Sequence, residues 1–242
     1  MKKITTQLVL NTFTLALFIF LTSCFFIGEN LGPVIDEERN VQDFDKLKVS
    51  SGIDVTLSQG RQHLVIIKAN EEIIDDVETE VINGTLRLNI DRHWFRWGNA
   101  TVKAEITFED LNEIEISAGS DLESQGLLSF KDIDIEASAG SDLKLNLEAN
   151  ALSLRASSGS DAKIRGYARN FQAKASSGSD INAYDFEVEN ASLECSSGSD
   201  VKAFVTESLN VKASSGSDIH YKGNPRLMDV NTSSGSDLIK VD

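Results

Sequence analysis

The chain has 242 residues, a formal net charge of −15 and two cysteines. Such an acidic surface excludes nucleic acid and anionic membrane surfaces as partners, because like charges repel. Two cysteines also exclude the disulfide framework of small secreted domains.

The N-terminus has the features of an export signal. Lys2 and Lys3 are followed by an apolar stretch and then by Leu-Thr-Ser before Cys24, an order typical of signal peptides. The stretch is too short to favour a permanent membrane-spanning helix. Its end is similar to a bacterial lipobox, which implies that residues 1–23 are a lipoprotein signal peptide and that Cys24 carries a membrane-anchoring lipid. An ordinary signal peptide with an incidental cysteine is the alternative, and we interpret residues 24–40 as a tether.

Residues 41–112 are predicted to be an N-terminal β part that is continuous with the repeats after it. Short segments in this range alternate between apolar and polar residues or are apolar throughout, which is typical of strands. Asn83-Gly84 lies between two such segments and predicts a β-hairpin. Glu71–Val77 predicts a short helix or turn.

An aromatic loop made of Trp94, Phe95, Arg96 and Trp97 lies between two of these predicted strands and holds both tryptophans of the chain. Aromatic rings beside an arginine favour stacking on sugar rings or anchoring of a partner. The same residues also fit a cap over the open end of a β-helical core. Both interpretations stay open from the sequence.

Residues 113–242 repeat one motif, Ser-Ala/Ser-Gly-Ser-Asp, at intervals of 18–21 residues. We call this motif the corner, and a degenerate eighth copy surrounds Gly52. The seven corner glycines are Gly119, Gly140, Gly159, Gly178, Gly198, Gly216 and Gly235. Between corners, apolar and polar residues alternate strictly, which predicts strands with one buried face. The pattern therefore predicts an all-β fold, a parallel β-helix of about 19-residue coils that turn at the corners.

Stacked coils place equivalent residues in columns, because neighbouring strands pair at about 4.8 Å. Alternation through the corner predicts that its last serine points inward and that its glycine and aspartate point outward. Cys195 falls in a column of small residues, which predicts a buried, inert thiol. A polar column predicts ion pairs between Glu136 and Arg155 and between Lys174 and Glu194.

The corner aspartates are predicted to form one outward column of negative charge. They are Asp121, Asp142, Asp161, Asp180, Asp200, Asp218 and Asp237. In one interpretation each carboxylate caps its own turn and solvent screens the charges. In the other, the column binds Ca²⁺ loosely or presents a face to a partner. Calcium needs six to eight oxygen ligands, and we predict no firm metal site and no other cofactor.

The sequence resembles the autotransporter-adhesin head GIN domain family, DUF2807. The resemblance is carried by the segment Phe44–Val55, by Gln59-Gly60, by Val81–Leu86 and by the Gly-Ser-Asp repeats. It covers roughly residues 40–242 and implies a right-handed parallel β-helix in a bacterial envelope lipoprotein. The family supplies no catalytic residues to carry over.

No zinc-ligand spacing, nucleophile elbow or phosphate loop occurs in the sequence, and we predict that the protein is not an enzyme. The leading hypothesis is a lipid-anchored envelope protein, in the outer membrane and facing either side of it, that binds glycan or protein. A structural or stress-related periplasmic protein without an external ligand is the alternative, and a polysaccharide-active enzyme is the third. No segment follows the last corner to cover the stack, which predicts self-association there.

Overall fold

The computed structural model describes residues 31–90 and 100–241. In these ranges the chain is built from strands, with one 3-10 helix at Ile74–Asp76 and no α-helix. The strands up to the repeats are β1 (Val34–Arg39), β2 (Lys46–Val49), β3 (Asp54–Gln59), β4 (Leu64–Asn70), β5 (Val77–Ile82), β6 (Thr85–Ile90) and β7 (Val102–Phe108). The repeats supply β8 (Glu113–Ile116), β9 (Asp121–Ser124), β10 (Leu128–Ala137), β11 (Asp142–Ser157), β12 (Asp161–Ser176), β13 (Asp180–Ser196), β14 (Asp200–Ser214), β15 (Asp218–Lys222), β16 (Leu227–Thr232) and β17 (Leu238–Lys240). The predicted all-β class is confirmed.

The coils of about 19 residues stack in parallel as a β-solenoid of about seven turns. Strands β11 to β14 each run through most of one coil, and β11 changes its alternation once, at Asn150. This bend divides the coil into two walls. Wall A contains the segments that follow a corner, such as 142–149, and wall B contains those that precede the next corner, such as 151–157. Adjacent coils pair in register, as Asp142 with Asp161 and Ser157 with Ser176 show.

The N-terminal strands continue both walls. Wall A has the order β1, β4, β7, β3, β9, β11, β12, β13, β14, β15, β17. Wall B has the order β5, β6, β2, β8, β10, β11, β12, β13, β14, β16. Pairing is antiparallel only where β1 meets β4, β4 meets β7 and β5 meets β6. Val34–Arg39, within the segment interpreted as a tether, thus forms an edge strand of wall A.

The hairpin predicted at Asn83-Gly84 is confirmed. Strands β5 and β6 pair antiparallel around it, and both turn residues have positive φ, 51° for Asn83 and 78° for Gly84. Positive φ at both central residues is the conformation that an Asn-Gly turn favours. The short 3-10 helix likewise confirms the helix or turn predicted at Glu71–Val77.

Inward side chains from both walls fill one core, because alternating residues point to one face of a strand. Bulky side chains such as Leu154 and Phe186 are fully buried. The columns beside the corners hold small residues, including Ala156, Ala175 and Cys195. The prediction that Cys195 is buried is confirmed. Burial raises the pKa of its thiol to about 11, which favours an unreactive thiol.

Only one of the two predicted ion pairs forms. Lys174 Nζ lies 2.9 Å from Glu194 Oε2. Arg155 stands beside Glu136 in register, but its guanidinium lies 3.9 Å from Asp134 instead. A long side chain can reach the diagonal neighbour on the adjacent strand, so the prediction of a Glu136–Arg155 pair was wrong.

Candidate functional site

The corner is built from two consecutive residues in the left-handed region. In one copy, Ser158 has φ 58° and Gly159 has φ 72°. A Cβ added to Gly159 would meet nothing within 4 Å, so backbone conformation and not space favours glycine there. The Gly159 N–H donates to the Ser177 carbonyl of the next coil at 3.1 Å. Hydrogen bonding between coils therefore continues through the corner.

The last serine of each corner points inward, as predicted. All seven are buried: Ser120, Ser141, Ser160, Ser179, Ser199, Ser217 and Ser236. The Oγ of Ser160 donates to Ser157 O at 2.9 Å and accepts from the Ser141 N–H at 3.3 Å. These hydroxyls form hydrogen bonds to buried backbone groups that have no strand partner at the turn.

The corner aspartates point outward and lie in register from Asp121 to Asp218. Their carboxylates accept backbone N–H groups of the neighbouring coil, whereas the capping interpretation placed these bonds within each carboxylate's own turn. Asp180 Oδ1 accepts from the Asp200 N–H at 3.1 Å, and Asp218 Oδ1 accepts from the Asp237 N–H at 3.0 Å. The aspartates thus connect coil to coil while leaving other carboxylate lone pairs facing solvent.

Like charges crowd one another within the column. Partial burial, followed by the charges of Asp121 and Asp161, raises the pKa of the Asp142 carboxyl. Asp54, from the degenerate first corner, extends the column, and burial together with the charge of Asp121 raises its pKa. Both shifts have the sign expected when a carboxylate loses water and gains negative neighbours.

A column of cations runs beside the aspartates on wall A. Lys144, Lys163 and Lys202 stand in register, with Asn182 between the second and third. Together with the aspartates they line a groove of about 290 Å³, which we call the Asp–Lys groove; it is bounded by Asp142, Lys144, Asp161, Lys163, Asp180, Asn182, Asp200 and Lys202. Within the described residues no salt bridge occupies these three ammonium groups. They partly offset the aspartate charge and remain available to a ligand.

This lysine column was not predicted. Its signal was present, because a lysine stands four residues after Gly140, Gly159 and Gly198. A metal centre does not accompany it: in residues 31–90 and 100–241, no group of three or more His, Cys, Asp or Glu is arranged to hold a metal ion.

A second surface, on wall B, was also not predicted. Asparagines at the bend between the walls form a ladder along the stack: Asn150 Nδ2 donates to Asp132 at 2.8 Å, and Asn190 Nδ2 donates to Asn170 Oδ1 at 3.4 Å. Ser208 Oγ then donates to Asn190 Oδ1 at 2.7 Å. The signal in the sequence was an asparagine eight or nine residues before three successive corner glycines.

Two predicted sites, Cys24 and the aromatic loop Trp94, Phe95, Arg96 and Trp97, lie outside the described residues. The strands on either side of the loop segment, β6 and β7, pair with β2 and β3. The described residues contain no helix with the length and apolar character needed to cross a bilayer.

Comparisons with known proteins agree on the fold. The family model described as "Putative auto-transporter adhesin, head GIN domain" (DUF2807) matches residues 43–225. A "putative adhesin" from Bacteroides fragilis has a TM-score of 0.80 at 19% identity, covering 86% of this chain and 97% of its own. A "putative adhesin" from Parabacteroides distasonis has a TM-score of 0.70 at 16% identity, covering 87% and 98%. A "putative lipid binding protein" from the same organism has a TM-score of 0.67 at 17% identity, with the same coverage. None of the curated proteins matches the chain.

Proposed function

The chain belongs to the DUF2807 family of adhesin-like head GIN domains, and on that premise we propose that it is a non-catalytic binding protein of the cell envelope. The family description suggests an envelope or surface location and a binding role. The observation that carries the proposal is the Asp–Lys groove, where an outward charged column is repeated coil after coil beside the corners.

The groove suits a partner that carries charges of both signs. Each coil presents one carboxylate, and three of the four coils lining the groove add an ammonium group two residues further on. Its floor includes Leu143, Ala162 and Ile181, which are buried in the core, so the groove is shallow and rigid. A rigid repeated surface gains affinity by engaging several equivalent sites at once. We therefore favour an extended partner, either a protein surface or a charged glycan, over a small molecule.

Substitutions that remove the ammonium groups test this groove. The purified full chain in detergent is applied to arrays of extracellular-matrix proteins and of acidic and neutral glycans. We expect at least tenfold weaker binding for Lys144→Ala/Lys163→Ala. The matched control is Lys131→Ala/Lys212→Ala, which changes the net charge equally outside the groove. Equal binding by both double variants, or no binding by the native chain, would refute the proposal.

The proposal includes a lipid anchor at Cys24 after removal of residues 1–23, with the outer membrane as the site of anchoring. The proposal is supported by an N-terminal sequence that is typical of an export signal and ends in Leu-Thr-Ser-Cys. We expect Cys24→Ser to abolish incorporation of labelled palmitate in cells and to move the protein out of the membrane fraction. Proteolysis of intact cells then reports which side of the membrane the solenoid faces.

Self-association at the end of the stack is the last part of the proposal. Strand β16 is exposed along its length, with Leu227 72%, Met228 46% and Val230 44% exposed. Apolar side chains on an unpaired sheet edge favour pairing with another chain. We expect Val230→Lys to weaken the association, and sedimentation that shows only monomer of the native chain at high concentration would refute it.

A further inference from the structure

Wall B carries a groove whose lining differs from the rest of this acidic protein. The groove has a volume of about 440 Å³, and most of the polar side chains that line it are amides and hydroxyls. We call it the amide groove; its neutral polar members are Ser153, Asn170, Gln172, Asn190, Ser192 and Ser208. Its floor includes Leu152 and Phe171, which belong to the core.

Charge is confined to one end of the amide groove. Asp132 and Asp134 are the two carboxylates in the lining, and both already have partners. Asp132 accepts from Asn150 at 2.8 Å, and Asp134 lies 3.9 Å from Arg155. The remaining polar lining is uncharged, although the chain has a formal net charge of −15. An anion entering this groove would meet no cation in the lining, and the loss of water without an opposite charge is unfavourable.

The polar groups of the amide groove divide into a fixed row and a free row. Asn170, Asn190 and Ser208 are tied to one another along the stack, so their positions are set before any ligand arrives. Ser153, Gln172 and Ser192 stand in register beside them, and their side chains have no hydrogen-bond partner within the described residues. A fixed scaffold beside free donors and acceptors lowers the entropy cost of binding.

From this arrangement we infer that the amide groove binds an uncharged glycan chain that lies along the solenoid axis. An amide side chain offers a donor and an acceptor side by side, and a hydroxyl offers both in one group, which matches the adjacent hydroxyls of a sugar. A peptide strand has no place to pair, because the groove lies over central strands whose backbones already bond to both neighbours. The inference rests on the proposed binding function but uses a different surface from the Asp–Lys groove.

The test uses the full chain in detergent with immobilised neutral and acidic oligosaccharides in physiological salt. We expect binding to neutral oligosaccharides that Gln172→Ala/Ser192→Asp weakens at least tenfold, because the double variant removes one free amide and places a charge in the neutral row. Circular dichroism and the melting temperature establish that this variant is folded. A milder variant, Gln172→Glu, leaves the side-chain volume unchanged and is expected to weaken binding in the same direction.

The Lys144→Ala/Lys163→Ala variant separates this inference from the proposed function. If it keeps neutral-glycan binding while Gln172→Glu loses it, the amide groove is the site. If only the lysine variant loses glycan binding, the Asp–Lys groove is the site and the inference about the amide groove is wrong. If the native chain binds matrix proteins or acidic glycans but no neutral glycan, the proposed function stands and the inference also fails.

Discussion

Gly166 lies so close to Leu147 of the preceding coil that a Cβ on it would stand 2.1 Å from the Leu147 carbonyl oxygen. The two residues are direct partners in the parallel ladder, and Gly166 has φ 114°. Glycine is therefore required at position 166 because there is no space for a side chain, and it is favoured at the corners because of the left-handed backbone.

Substitution of these two kinds of glycine is expected to have unequal costs. Gly166→Ala adds a clash with backbone to a strained φ, whereas Gly159→Ala adds only the left-handed conformation at φ 72°. Left-handed backbone costs an alanine about 1–2 kcal/mol, so we expect Gly159→Ala to lower stability by about that amount and Gly166→Ala by clearly more. Urea unfolding followed by circular dichroism measures both. Equal shifts in the unfolding midpoint would contradict the role assigned to the Leu147 contact.

Loss of an inward serine hydroxyl is expected to destabilise the stack. Ser160→Ala removes the acceptor of the Ser141 N–H and the donor to Ser157 O. An unsatisfied buried polar group costs about 1–3 kcal/mol. Ser192→Ala, an exposed serine on wall B, is the control and should change stability by less than about 0.5 kcal/mol. Similar thermal unfolding of the two variants would show that the serine ladder contributes little.

The Cys195 thiol is expected to resist alkylation in the folded protein. In a Cys24→Ser background it is the only thiol of the chain, and burial raises its pKa to about 11 from an ordinary value of 9.0. At pH 8 the thiolate fraction is then about a thousandth, and access is blocked as well. Mass spectrometry after iodoacetamide treatment should show modification only in urea.

The same thiol predicts a direction for stability at high pH. The folded state keeps a proton that the unfolded chain has lost, so this group's contribution falls as pH rises from about 9 to about 11. Cys195→Ala should remove that part of the pH dependence. Rapid labelling of native protein at pH 8 would contradict both expectations.

Neutralising one member of the aspartate column is expected to relieve repulsion. Asp142→Asn keeps a side-chain acceptor but removes a charge whose pKa is raised by burial and by Asp121 and Asp161. Because the folded pKa is raised, the unfavourable contribution exists at neutral pH and disappears as pH falls below the ordinary carboxyl range. We expect the variant to unfold at a slightly higher temperature at pH 7 than the native chain, with a difference that shrinks in high salt. Glu187→Gln, outside the column, should show no such gain.

Much of this architecture was predictable because alternation and a fixed repeat determine which residues share a column. The inward serines, the outward aspartates and the buried Cys195 follow from counting along the chain. The left-handed Ser158 was not predicted, because serine carries no glycine-like signature for that conformation. Arg155 pairs with Asp134 and not with Glu136, because the register determines which Cα atoms are neighbours but not which carboxylate a long side chain contacts.

The two grooves could not be predicted from the sequence, because they depend on the bend at Asn150 that separates the coil into two walls. The bend is difficult to recognise in the sequence, because it changes the alternation of apolar and polar residues only once in the sixteen residues of β11. Without it, the lysines beside the aspartates and the amides of wall B could not be assigned to separate faces. The signals were single residues at fixed distances from each corner glycine, which become meaningful only once the walls are known.

The irregularity in β13 bears on how the number of repeats can change during evolution. The coils that begin at Asp180 and Asp200 differ in length, yet their corners pair in register because the difference is absorbed between Ala183 and Glu187 and between Val188 and Asn190. Unequal recombination between neighbouring repeats can therefore add or delete a whole coil without disturbing the joints. Each such event would lengthen or shorten the solenoid by about 4.8 Å, so that the length of the stack follows the number of repeats.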